Sequence, residues 1–170
     1  RQSWGFDMKP GMVIGDIVNG RKVSLGPSND QKIVTYVLWL AIQQNLLSNT
    51  DIITSNLDYI FLKSAGSIEN LNTNSSLVIE PLISTSKESM LIERYKMQFR
   101  ADPEQLLKDF ESQDKSYIIG ARIKGQLDSA FTMEDIKKIE LDTKQHINNI
   151  KDANIILFAD TDLLSDNTWI

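Results

Sequence analysis

Carboxylates crowd the end of this chain. Asp160, Asp162 and Asp166 follow directly on the apolar run of residues 154–159, with Thr161 and Ser165 between them. Alternating acids of this kind suit a hard cation held by oxygen ligands, or a nucleophilic aspartate. A calcium loop of the EF-hand type would need an oxygen donor at position 164 and glycine at 165. The chain has Leu164 and Ser165 there, so that reading fails. Two others remain. Ser and Asp readily accept hydrogen bonds from the free N–H groups at a helix start, so the loop caps a following helix. A polar loop at the carboxyl end of a strand is also where layered α/β proteins place their ligand crevices. The second reading makes Asp160, Thr161, Asp162 and Ser165 a surface for a ligand or partner. A second hydroxyl-rich stretch, Ser84, Thr85 and Ser86, offers Thr85 and Ser86 to a polar ligand, although such turns commonly satisfy their own backbone.

Catalytic alternatives are few. Phosphotransferases of the haloacid-dehalogenase type use an Asp-x-Asp after a strand as nucleophile and acid. That motif opens their domain, whereas here it stands near position 170. A Mg²⁺-dependent hydrolase or phosphotransferase using Asp160 and Asp162 is therefore the alternative, not the leading expectation. The chain has no cysteine, and its single histidine, His146, lies among Lys144, Gln145 and Asn148. That is the setting of a solvated helix face, so no nucleophile–base pair is evident. Gly120 and Gly125 do not form a phosphate-cradling glycine loop. We expect no enzyme activity, no cofactor and no resident metal.

Composition narrows the class further. The 170 residues are 41% hydrophobic and 24% charged, which is ordinary for a globular domain with a real core. A net charge of −5 argues against nucleic acid as a partner, since phosphate binding needs clustered Lys and Arg. No apolar stretch approaches the roughly 20 residues of a membrane-spanning helix.

The elements that must position these groups follow from periodicity. Uninterrupted Ile155, Ile156, Leu157 and Phe158 read as a strand buried on both faces, as in a parallel sheet. Residues 12–14, 23–25, 34–40, 77–79 and 117–123 read as further strands, while 59–62 could continue a helix begun at 49–51 or form a strand, which its aromatic and branched residues favour. Asp102-Pro103-Glu104 has the cap-then-proline form of a helix start, with Leu106, Leu107 and Phe110 as its buried stripe. Asn49-Thr50-Asp51 predicts a short helix burying Ile53 and Leu57. Met133, Ile136, Ile139, Thr143, Ile147 and Ile150 trace one face of a long helix. The expected fold is α/β, with 117–123 and 155–159 central in one sheet and the helices around Leu106 and Ile139 packed on it.

Taken in order, Ser3-Trp4-Gly5, Val13-Ile14-Gly15-Asp16, Pro81-Leu82-Ile83-Ser84-Thr85-Ser86, the stretch from Tyr117 through Gly120 to Gly125, and Ala159-Asp160-Thr161-Asp162-Leu163-Leu164-Ser165-Asp166 resemble the auxiliary component of an uncharacterised bacterial ABC transport system. That group includes the GldG-like gliding-motility proteins. The resemblance implies a three-layer sandwich with a mostly parallel sheet, similar to class I glutamine amidotransferase-like and flavodoxin-like folds, without the amidotransferase Cys and His. It implies a non-enzymatic accessory role through protein contacts or polar-solute binding, with an ABC permease and ATPase as partners. It also implies a periplasmic, extracytoplasmic domain anchored to the bacterial inner membrane by segments outside this sequence. Residues 1–170 would then be a single α/β domain forming the later part of a larger soluble domain.

Overall fold

A computed structural model describes residues 6–71, 77–100, 102–128 and 149–160 of the chain. In chain order these form β1 (Phe6–Met8), β2 (Met12–Asp16), β3 (Gly20–Leu25), β4 (Lys32–Gln43), β5 (Tyr59–Lys63), β6 (Ile68–Asn70), β7 (Leu77–Ser84), β8 (Ser89–Glu93), α1 (Arg94–Arg100), α2 (Pro103–Lys108), β9 (Ile118–Asp128) and β10 (Asn149–Phe158). Short reversals set the architecture. Gly26 adopts φ +95°, and the N–H of Asp30 donates to the Pro27 carbonyl at 2.9 Å. This tight turn leaves β3 and β4 no option but antiparallel pairing. Strand β4 then pairs with β5, while β2 pairs with β8. In the largest sheet β9 lies between β7 and β10, since Gly125 is registered with both Leu77 and Ala153. Strands β6 and β1 extend that sheet from Ile118.

Three residues stitch the sheets together. The Ser64 N–H donates to Leu38 in β4, the Ala65 carbonyl accepts from Ile14 in β2, and the Gly66 N–H donates to the carbonyl of Ala159, just beyond β10. Each of the three sheets thus meets the segment 64–66. Side chains close the same junction. Ile14, Leu40, Ile42, Leu62, Leu82 and Ile119 form one buried cluster drawn from all three sheets. A second cluster around Val13, Val37, Leu38 and Ile92 is covered by Leu106, Leu107 and Phe110. The helix that supplies this cover begins as its sequence predicts. Asp102 accepts from the N–H of Glu104 at 3.0 Å, and Pro103 occupies the first turn.

The structure corrects the α/β expectation. Every strand pairing among the described residues is antiparallel, and those residues form ten strands against two short α-helices and one 3-10 turn at Gln44–Leu46. The fold is a mostly antiparallel β domain and not a three-layer sandwich of the amidotransferase or flavodoxin kind. An unbroken apolar run suggests a strand but does not give the direction of its neighbours, and the burial on both faces expected of residues 155–158 is only partial. Residues 117–123 and 155–159 do share a sheet and pair directly, Ile123 with Ile155 and Gly120 with Phe158. Only β9 is central. Strand β10 ends the strand order among the described residues, and Ile155 to Phe158 are half-buried. Helix α2 packs on β4 rather than on this sheet.

The helix expected after Asn49 is a tight turn instead. Asp51 accepts through its backbone carbonyl from Thr54 and Ser55, and Ile53 is 40% exposed. Thr54 is buried in its place, its hydroxyl donating to the Ser48 carbonyl at 2.7 Å. Residues 133–148 of the helix predicted over 133–150 lie outside the described residues. Its last expected member, Ile150, belongs to β10.

Candidate functional site

The hydroxyl-rich turn after β7 is tied into a polar knot. Its centre is Asp16, fully buried at the end of β2. Oδ1 accepts from the N–H groups of Val18 and Asn19 and from the Ser86 hydroxyl, at 2.8–3.0 Å. Oδ2 accepts from the Asn19 side-chain amide and the Ser86 N–H, both at 2.8 Å. Five donors around one carboxylate satisfy its oxygens, and among the described residues no cation pairs with it. Thr85 is also buried. Its Oγ1 accepts from the Tyr117 N–H at 2.9 Å and donates to the Ser86 carbonyl at 3.1 Å. Thr85 and Ser86 therefore use their hydroxyls to join the β2–β3 turn, the β7–β8 turn and the entry to β9. Asp16 and Asn19 escape sequence reasoning, although Asp-x-x-Asn-Gly is a turn signal that marks them.

Asp160 lies at the same end of the sheet. Thr85 donates its N–H to the Tyr117 carbonyl, and Ala159 donates its N–H to Ile119. Because β7 and β10 flank β9 on opposite edges, the two chain segments leave the sheet one strand apart, about 10 Å. The topology thus brings Thr85, Ser86 and half-buried Asp160 to one edge, but turns the two hydroxyls inward. Thr161, Asp162 and Ser165 lie outside the described residues, as does His146. Among the described residues no group of three or more His, Cys, Asp or Glu side chains is placed to hold a metal.

A shielded ion pair fixes the other side of β9. Arg122 donates from Nε to Asp51 Oδ2 at 2.6 Å and from its second terminal nitrogen to Oδ1 at 3.0 Å, while the first reaches Asn154 at 2.8 Å. The side chains retain 13% and 9% of their exposure. The guanidinium fork, helped by the Ile53 N–H, holds the Asp51 carboxyl down at about 2.

A concavity lies elsewhere. An open cleft of about 610 Å³ runs between the β2–β8 ladder and the two helices. Met12, Met90, Leu91, Ile92 and Leu106 give it an apolar lining; Glu93, Lys96, Gln105 and Asp109 ring it. The rim is internally paired, Lys96 with Glu93 at 3.3 Å and Gln105 with Asp109 at 2.9 Å. Two of the five methionines stand in the lining, where their flexible thioethers adapt to varied apolar shapes. Sequence reasoning missed this cleft because β8 and α1 were not foreseen. Met12 and Met90, far apart in the chain, come to one cleft lining only through the β2–β8 pairing, which registers Met12 with Glu93 and Met90 with Gly15.

The molecule is thus an antiparallel β domain with an apolar lateral cleft and polar knots that serve its own strand junctions. Over residues 2–170 the chain matches the model of a family described as ABC-type uncharacterized transport system, and it belongs to that family of auxiliary components. No curated protein and no solved structure matches it. No helix among the described residues is long and apolar enough to cross a membrane.

Proposed function

We propose that this domain serves its ABC-type transport system without catalysing a reaction, by docking another protein of the system in the methionine-lined cleft. The observation that carries this reading is the cleft itself: about 610 Å³, apolar inside and polar at its rim. That is the form that receives the apolar face of a helix or loop. Contact is favoured over polar-solute binding because the hydroxyls of Thr85 and Ser86 are engaged within the fold. The partners are the permease and ATPase of the same system. The resemblance to GldG-like proteins supports a periplasmic position, with anchoring to the inner membrane through segments outside this sequence, and a link to gliding motility.

The test is co-purification of the full-length protein with its permease from native membranes. Met90→Glu and Met12→Glu place charge in the cleft lining. Both variants should release the permease while retaining the far-ultraviolet dichroism of the parent. Undiminished association in both variants would remove the cleft from the interface.

A further inference from the structure

The three-stranded sheet of β3, β4 and β5 has an outward face of unusual chemistry. Directly opposed residues on paired strands share a face, and here the pairs are Trp39 with Lys63, Ala41 with Phe61, and Gln43 with Tyr59. The alternate residues Leu40, Ile42 and Leu62 are buried in the core, so the first set faces outward. Arg21 lies 4.5 Å above the Phe61 ring, and the Lys63 ammonium is 5.4 Å from the centre of Trp39. Tyr59 tilts against Phe61 at 4.9 Å and is 52% exposed. On a chain of net charge −5, several surface lysines pair with carboxylates, as Lys9 does with Glu69 and Lys124 with Glu80. Among the described residues Arg21 and Lys63 make no ion pair and rest on rings instead. A ring face attracts a cation without neutralising it, so both charges stay available to an anion.

The backbone adds a second feature. Strand β5 ends the order β3-β4-β5, and among the described residues no strand pairs its outer edge. An edge of this kind is a template for a further strand. We infer that β5 receives an extended acidic segment of a partner protein, its backbone pairing with Tyr59–Lys63 and its alternate carboxylates meeting Lys63 and Arg21. The charge chooses an acidic partner, and the open edge chooses a polypeptide over a polyanion that has no strand-forming backbone. This surface is separate from the methionine-lined cleft and does not depend on it.

The probe is a fluorescein-labelled peptide of alternating Thr and Glu, titrated with the full chain at physiological salt. Two controls accompany it: a Thr–Lys peptide, and a Pro–Glu peptide that keeps the charge but lacks half the backbone donors. Saturable anisotropy change with the Thr–Glu peptide is expected. Affinity should fall at least about tenfold with the Pro–Glu peptide and with the Arg21→Gln, Lys63→Gln double variant. Both substitutions lie on the outward face, and unchanged dichroism verifies the fold. Equal affinity for the Pro–Glu peptide would make the face a general anion surface and overturn the strand-pairing claim. Binding indifferent to the double variant, binding of the Thr–Lys peptide, or no binding up to about 1 mM would overturn the inference as well. None of these outcomes bears on the permease co-purification, so the two claims fail separately.

Discussion

Ser86 grips Asp16 with two bonds of equal length, its N–H on Oδ2 and its hydroxyl on Oδ1, each 2.8 Å, across a sequence separation of 70. The carboxylate has no exposure to water, so its stability depends wholly on the donors around it. In Asp16→Asn an amide nitrogen replaces one oxygen and points donors at donors. Each buried group left without a partner costs about 1–3 kcal/mol, so the variant should lose about 2–4 kcal/mol. Urea denaturation measures this. A loss below about 0.5 kcal/mol, the range of an ordinary surface change, would show that the knot is dispensable.

The Asp51–Arg122 pair predicts a specific acid sensitivity. Asp51 is drawn from the usual 3.8 to about 2 by the Arg122 guanidinium. A carboxyl whose folded pKa is depressed stabilises the fold fully above its unfolded value. That contribution is lost as pH falls through the folded value. Asp51→Asn should therefore be less stable than the parent at pH 7, and the difference should narrow between about pH 4 and pH 2. Parallel urea midpoints across this range check it. A difference that stays constant with pH would detach the effect from the titration of Asp51.

Gly120 and Phe158 are registered partners on β9 and β10. A methyl group on Gly120 would meet the Phe158 ring at 2.7 and 2.8 Å, well inside contact distance. Gly120→Ala should cost about 1–3 kcal/mol through overpacking. The half-buried ring is the obstacle, so Phe158→Leu in the same chain should recover part of the loss. A double-mutant cycle in thermal unfolding reads this coupling. Strict additivity would show that the strain arises elsewhere.

Asp102 caps the six-residue helix whose Leu106 lines the cleft. Asp102→Ala should destabilise the protein by about 0.5–2 kcal/mol. The effect should be local as well as global. Amide exchange in 103–108 should accelerate more than in β9. Uniform acceleration would mean that the cap acts only through overall stability.

Local chemistry determined a good deal of this protein from sequence alone. The apolar series at 34–40, 117–123 and 155–159 gave strands because their runs are short and rich in β-branched and aromatic residues. Asp102-Pro103 gave a helix start, and the absence of cysteine removed thiol chemistry outright. The ordered motifs from Trp4 to Asp166 pointed to the family that the whole chain matches. Only the tertiary structure decided direction and neighbourhood. The apolar run of β10 carries no mark of which way β9 travels beside it, so a parallel sheet and an antiparallel one looked alike. The hydroxyls of Thr85 and Ser86 looked available until Asp16, remote in sequence, was folded against Ser86 and the entry to β9 met Thr85. Met12 and Met90 became one cleft lining, and Arg21 came to rest on Phe61, for the same reason. Side-chain periodicity is written residue by residue, whereas pairing between distant strands is chosen by the sum of their contacts.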